Sequence, residues 1–300
     1  MSQRHHYCFM PILFVLIWST GFIVAKFGLP FAPPLTFLLL RFLSVLLVLL
    51  PVIGMWRLSW PRRPIHLVVA GVLLQAGYLA GVWCAIQQGI PAGLSALIVG
   101  LQPILTAIAA PALGEAVCRR QWLGFIMGLL GVAIVVADKV HLGGITAASI
   151  GLCLFALMSI TLGTLYQKKY CPSFDLFTGT AIQYAASALV MLPLAIGLEG
   201  LDWHFANVHW TPQFLLALAW AVLALSIGAI FLLFTLIRKN AATHVTSLMY
   251  LTPPTTAVLA WLIFDEALSG RAIFGMILAV LGVAFVVRKP ALMPLQNVAK

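Results

Sequence analysis

Leu101–Val136, LQPILTAIAAPALGEAVCRRQWLGFIMGLLGVAIVV, and Leu251–Val287, LTPPTTAVLAWLIFDEALSGRAIFGMILAVLGVAFVV, align with one gap to sixteen identities in thirty-six positions. Any two apolar helices share leucines and valines. They do not share Pro103 with Pro253, Thr106 with Thr256, Glu115 with Glu266, Arg120 with Arg271, Gly124 with Gly275 and Gly131 with Gly282 in one register. An internal repeat of this kind dictates the architecture around it.

Working outward from the two segments, breaks at Pro, Gly and charge clusters give apolar spans near 7–26, 33–53, 64–87, 93–114, 120–137, 144–166, 175–197, 212–237, 242–264 and 271–288. About 20 mostly apolar residues cross about 30 Å of hydrocarbon. Within lipid, every backbone amide must find its partner inside the chain, which long runs without strand alternation achieve as helices. The expected fold class is an all-α membrane protein of ten transmembrane helices in two inverted five-helix repeats. The repeats are 1–139 and 140–290, with a cytoplasmic tail at 291–300. Five spans per copy turn the second copy upside down, the plan of many secondary transporters, whose substrate site lies near the midplane between the copies.

Composition agrees: 63% of the 300 residues are hydrophobic and 8% charged, against about 45–50% and 25% in soluble domains. The net charge of +10 lies mostly between spans. With a cytoplasmic N-terminus, thirteen cations fall inside and three, Lys26, Lys139 and Arg271, outside, leaving Arg41 in the bilayer. Both termini are thus expected in the cytoplasm of a cell with the chain in its inner (plasma) membrane. Span-end cations are no nucleic-acid surface. Cys8, Cys84 and Cys153 fall in spans, and Cys118 and Cys171 in cytoplasmic loops where thiols stay reduced. The run from Tyr7 to Ala25 lacks a signal-peptidase pattern and reads as a retained first helix. Gly200–Trp210 is the longest expected external loop, with Trp203 and Trp210 as interfacial anchors.

From Trp18-Ser19-Thr20-Gly21-Phe22 through Lys26, Leu40-Arg41-Phe42 and both Pro-to-Glu segments of the repeat, the chain resembles the drug/metabolite transporter superfamily, specifically its EamA-type ten-helix members. The resemblance implies a central cavity lined by helices 1–4 and 6–9, with helices 5 and 10 at the side. It implies export of small metabolites such as amino acids as the commonest role. Met158-Ser159-Ile160-Thr161 of the sixth helix matches the first-helix pattern poorly, so nothing is carried onto it.

An intramembrane cation is a functional candidate by default, so Arg41 reads as an anchor for a substrate carboxylate or phosphate, against a purely structural role on backbone carbonyls. Trp18, Ser19, Thr20, Gln75, Tyr78, Gln102, Tyr250 and Thr252 supply the neutral polar and aromatic groups of a substrate cavity. Trp83, Thr106, Gln183 and Tyr184 extend that set, and helix-to-helix hydrogen bonding is the competing reading of each. Lys26, Glu115 and Glu266 are gate or helix-end charges. Lys26 is expected to snorkel, and the two glutamates to pair with Arg119, Arg120 or Arg271. Pro103 and Pro253 are hinge candidates, or static kinks. Glycines of helices 5 and 10 allow close packing in the bundle or a homodimer through those helices.

None of the seven acids lies mid-span, which argues against a buried carboxylate proton relay and against lipophilic cations as substrates. His204 and His209 lack a third metal ligand, and no catalytic motif or cofactor site stands out. The expected function is transport of a small organic metabolite, export of amino acids or related compounds by alternating access. The alternatives are import of a nucleobase, vitamin or sugar-like solute and, from another class, a membrane enzyme or scaffold handling lipid intermediates. Its expected partners are the substrate and the lipid bilayer.

Overall fold

The computed structural model describes residues 2–109, 119–141, 145–171, 173–229, 232 and 251–287, and its regular structure among these is helical throughout. The helices are α1 (Ser2–Gly28), α2 (Pro34–Trp56), α3 (Pro64–Gln87), α4 (Ala92–Val99 and, after a break, Gln102–Ala109) and α5 (Arg119–His141). They continue with α6 (Ala147–Tyr170), α7 (Leu176–Glu199), α8 (Pro212–Gly228), α9 (Thr252–Phe264) and α10 (Gly270–Val287). By length and composition α2, α3, α6 and α7 can each cross a membrane, while the others carry shorter apolar stretches among the described residues.

Local chemistry sets the ends. Pro34, Pro64 and Pro212 open α2, α3 and α8, where the absent N–H is no loss. Asp175 accepts from Thr178 N at 3.0 Å to cap α7, and Thr146 and Ser149 form a reciprocal capping box at the start of α6. Left-handed residues Arg57, Gly200 and Asp265 close α2, α7 and α9.

Two helix pairs organise the bundle. α2 and α7 run antiparallel along their whole length, joined by the edge-on contacts Phe42–Tyr184 at 5.5 Å and Trp56–Phe177 at 5.6 Å. α5 and α10 pack backbone to backbone. A Cβ on Gly282 would lie 2.5 Å from Gly128 N and 2.6 Å from Gly124 O, and one on Gly131 2.5 Å from Ala279 N. These glycine faces are therefore occupied within one chain. A dimer through the same helices would have to use other faces, where Trp122, Ile126, Phe274 and Ile277 are exposed.

α5 and α10 touch α4 and α9 at their inner side, whereas α1–α4 and α6–α9 share the remaining contacts and enclose the core. In that core, α4 and α9 approach closely where Gly93 meets Ala257 and Gly100 meets Pro253.

The loop Gly200–Trp210 folds back rather than standing free. His209 N donates to Phe31 O at 2.7 Å, Val208 is buried and Trp203 is 96% exposed. His204 and His209 join no metal-binding group among the described residues.

Candidate substrate site

Arg41 lies two turns into α2 and is only 6% exposed. Its Nε donates to Ser226 Oγ of α8 at 3.0 Å, and Ser226 Oγ donates in turn to Ala221 O at 2.9 Å. The phenols of Tyr184 on α7 and Tyr78 on α3 lie within electrostatic reach of it. Four helices thus converge on one cation.

The described acids are all engaged elsewhere or far off. Glu199 Oε1 and Oε2 accept from Leu35 N at 2.8 Å and Thr36 N at 2.7 Å, and Oε2 also from Thr36 Oγ1. Asp175 caps α7, Asp138 accepts from Ser269 Oγ at 2.6 Å, and Asp202 accepts from the loop amides of His204 and Ala206. Asp265 is the left-handed cap of α9, and Glu266 pairs with Lys26. Among the described residues, no carboxylate forms a salt bridge with Arg41. A guanidinium at the centre of a membrane helix costs about 2.5–3.5 kcal/mol on insertion scales, and a serine hydroxyl and two phenols supply no compensating charge.

Both flanking helices are locally unwound from the α pattern. α3 is π-helical over Val72–Gly77 and α8 over Trp220–Gly228. Such bulges shift the register of side chains and free carbonyls, and they recur at functional sites. In α3 the Leu73 carbonyl accepts from Ser159 Oγ at 2.8 Å. Only a glycine at 77 admits that hydroxyl, since a Cβ there would meet it at van der Waals overlap. Gln75, inside this bulge and one turn before Tyr78, is half-buried and shows no hydrogen bond among the described residues. In α8 the bulge is where Ser226 reaches Ala221 O, five residues back.

A second polar group joins α1, α8 and α9. Ser19, fully buried, donates from Oγ to Thr252 O at 3.5 Å, and its carbonyl accepts from Thr256 Oγ1 at 3.3 Å. Trp220 Nε1 donates to Thr20 Oγ1 at 2.9 Å. Ser19 and Thr20 are thus committed to helix contacts, whereas the buried Thr252 hydroxyl has no partner among the described residues. Trp18 packs on Phe14 at 5.6 Å, next to the Ala229 end of α8.

The structure does not gather every candidate. Gln102 Nε2 donates to Thr164 Oγ1 at 2.9 Å, Gln183 Nε2 to Gln167 Oε1 at 2.8 Å, and Trp83 is core, 4.5 Å from the Phe37 ring. Thr106 bonds its own helix at Gln102 O. Tyr250 and Glu115 lie outside the described residues. The break in α4 falls at Gly100–Leu101, just before Pro103, whose ring cannot donate back to that turn; Pro253 instead opens the described part of α9.

Two charges are corrected. Lys26 does not merely snorkel: its Nζ lies 2.7 Å from Glu266 Oε1 and 4.7 Å from the centre of the Phe264 ring. Glu266 pairs with this lysine rather than with Arg119, Arg120 or Arg271, and it also accepts from Ala92 N at 3.2 Å, capping α4. The cation comes from the far end of α1, a long-range contact that sequence neighbours do not reveal.

With this geometry in place, a family model described as the EamA-like transporter family matches the chain twice, over residues 6–137 and 147–288. The chain belongs to the EamA-like transporter family. An uncharacterized transporter, YvbV, of Bacillus subtilis (strain 168) is 30% identical over 91% of this chain and 88% of its own. A probable amino-acid metabolite efflux pump of Salmonella typhimurium is 28% identical over 91% and 92%. An uncharacterized inner membrane transporter, YedA, of Escherichia coli (strain K12) is 27% identical over 93% and 92%. A solved crystal structure at 19% identity superposes with a TM-score of 0.65, covering 92% of this chain and 94% of that one; it shows the fold alone.

This EamA-like chain is therefore a multi-pass membrane transporter of metabolites and not an enzyme, as the family and its named relatives are transporters and efflux pumps. Two contributors at its sites escaped the sequence reading. Ser226 is a lone serine at matching depth in an apolar span. Glu199 was signalled only by α2, whose start at Pro33 and Pro34 offers no capping side chain of its own.

Proposed function

We propose that the chain exports small carboxylate-bearing metabolites, amino acids or related compounds, by alternating access between its two copies. The observation that carries this reading is Arg41, buried where α2, α3, α7 and α8 meet and without a carboxylate partner among the described residues. A substrate carboxylate supplies the missing charge, and the Arg fork binds it more strongly than a neutral acceptor. Ser226 holds the guanidinium in plane, Tyr78 and Gln75 line the approach, and Thr252 offers a further hydroxyl. Among the described residues no acid lies near Arg41, so a substrate ammonium is received by the phenol faces of Tyr78 and Tyr184.

The Lys26–Glu266 pair is the outer gate, since it joins the end of α1, the start of α4 and the α9–α10 turn. Pro103 and Pro253 are the hinges beside the α4–α9 contact. The excess of cations on one side favours cytoplasmic termini and so puts this gate outside. Two relatives named as probable amino-acid metabolite efflux pumps support the substrate class and the direction.

The test is metabolite profiling of medium and cytosol from cells over-producing the intact chain or its Arg41→Ala form at equal membrane levels. Accumulation of amino acids or related acids in the medium with the intact chain alone is expected. Loss of the same compounds from the medium into the cell would reverse the direction.

A further inference from the structure

The side that carries the excess of cations holds a cleft whose lining does not include Arg41. It has a volume of about 320 Å³ and lies between the α2–α3 and α6–α7 connections, bordered by Trp60, Arg62, Arg63, Tyr170 and Ser173, with Leu67 at its floor. Arg62 and Arg63 are exposed and neither forms a salt bridge among the described residues. Tyr170 is a fixed wall: it stacks on His66 at 5.1 Å, His66 Nδ1 lies 2.9 Å from Tyr166 Oη, and Lys169 Nζ stands 5.2 Å from the Tyr170 ring centre. Asp175 also borders the cleft, but its Oδ1 already accepts from Thr178 N and Oγ1 at the α7 N-terminus.

Between α3 and α7 the cleft is closed off. One turn above Leu67, α3 and α7 are in backbone contact: a Cβ on Gly71 would lie 2.5 Å from Gln183 Cα, and Ser187 Oγ donates to Gly71 O at 3.0 Å.

We infer that this cleft binds the phosphodiester headgroup of an anionic lipid. Two arginine forks and the Ser59 and Ser173 hydroxyls match phosphate oxygens, and basic pockets between helix ends on the cytoplasmic side are where such headgroups bind. A soluble phosphate shares that chemistry. The lipid is favoured by depth: the cleft lies at the ends of four apolar helices, beside the exposed rings of Trp56 and Trp60, where interfacial aromatics meet headgroups. Bound there, the headgroup bridges the two copies by joining the α2–α3 and α6–α7 connections.

Purified full-length protein in neutral detergent, titrated with phosphatidylglycerol or phosphatidylcholine and read by native mass spectrometry, tests the site. Phosphatidylglycerol is expected to be retained over phosphatidylcholine. The double variant Arg62→Gln/Arg63→Gln should weaken that retention about tenfold, while Arg119→Gln, an exposed arginine at the start of α5, leaves it unchanged. Equal loss with Arg119→Gln, or equal retention of phosphatidylcholine, would overturn the site. Displacement of the lipid by millimolar inorganic phosphate would overturn the lipid as its occupant in favour of a soluble phosphate.

Discussion

The proposed transport turns on one residue, a buried guanidinium with no carboxylate partner among the described residues. Arg41 was legible in the sequence because any cation that deep in an apolar span stands out, but its setting was not. Ser226, Tyr184 and Tyr78 come from helices separated by up to 148 residues in the chain, and no periodicity reports which of them meet. The same limit applies to the helix-end charges. Glu199 holds two orphan amides of α2, so Glu199→Ala should destabilise the protein by about 1–2 kcal/mol, seen as a lower midpoint of thermal unfolding in detergent. An unchanged midpoint would mean that water replaces the carboxylate without loss. For the Lys26–Glu266 pair, Lys26→Glu and Glu266→Lys singly should impair transport, and the double exchange should recover most of it, measured as initial flux in vesicles. If the double exchange is no better than either single change, the pair is not a gate and Glu266 acts mainly as the cap of Ala92.

At the level of elements, the helices themselves were readable and their irregularities were not. The spans expected near 64–87, 175–197 and 271–288 lie within about two residues of α3, α7 and α10. The π segments in α3 and α8 carry no composition signal, because each is decided by the hydroxyl that reaches its freed carbonyl, from another helix in α3 and from Ser226 of the same helix in α8. Ser159 offers it to Leu73 through the gap left by Gly77. The glycine faces of helices 5 and 10 were evident as faces, while their mutual contact is a property of the fold. Gly282→Leu would place carbon where Gly128 N and Gly124 O now sit. We expect it to cost about 1–3 kcal/mol through separation of α5 from α10. Thermal unfolding of the purified variant checks this, and a midpoint equal to that of the parent would show that the two helices part freely.

Across the whole molecule, the repeat placed the fold in outline, with two successive family matches covering nearly the entire chain. α2 with α7 and α3 with α8 contribute the residues around Arg41, and α4 meets α9 at Gly93–Ala257 and Gly100–Pro253. What one copy cannot show is complementarity. Sequence identity marks Pro103 with Pro253, yet among the described residues the one buried cation, Arg41, lies in the first family match and its hydroxyl partner, Ser226, in the second. The central claim is that Arg41 awaits a carboxylate carried by the substrate. It is tested most directly by counterflow in vesicles holding the intact chain or Arg41→Gln, with a panel of labelled amino acids and their carboxamides. Exchange of the acids by the intact chain is expected, with at least about tenfold slower exchange by Arg41→Gln and little exchange of the carboxamides by either. Exchange of the acids at the parent rate by Arg41→Gln would contradict it.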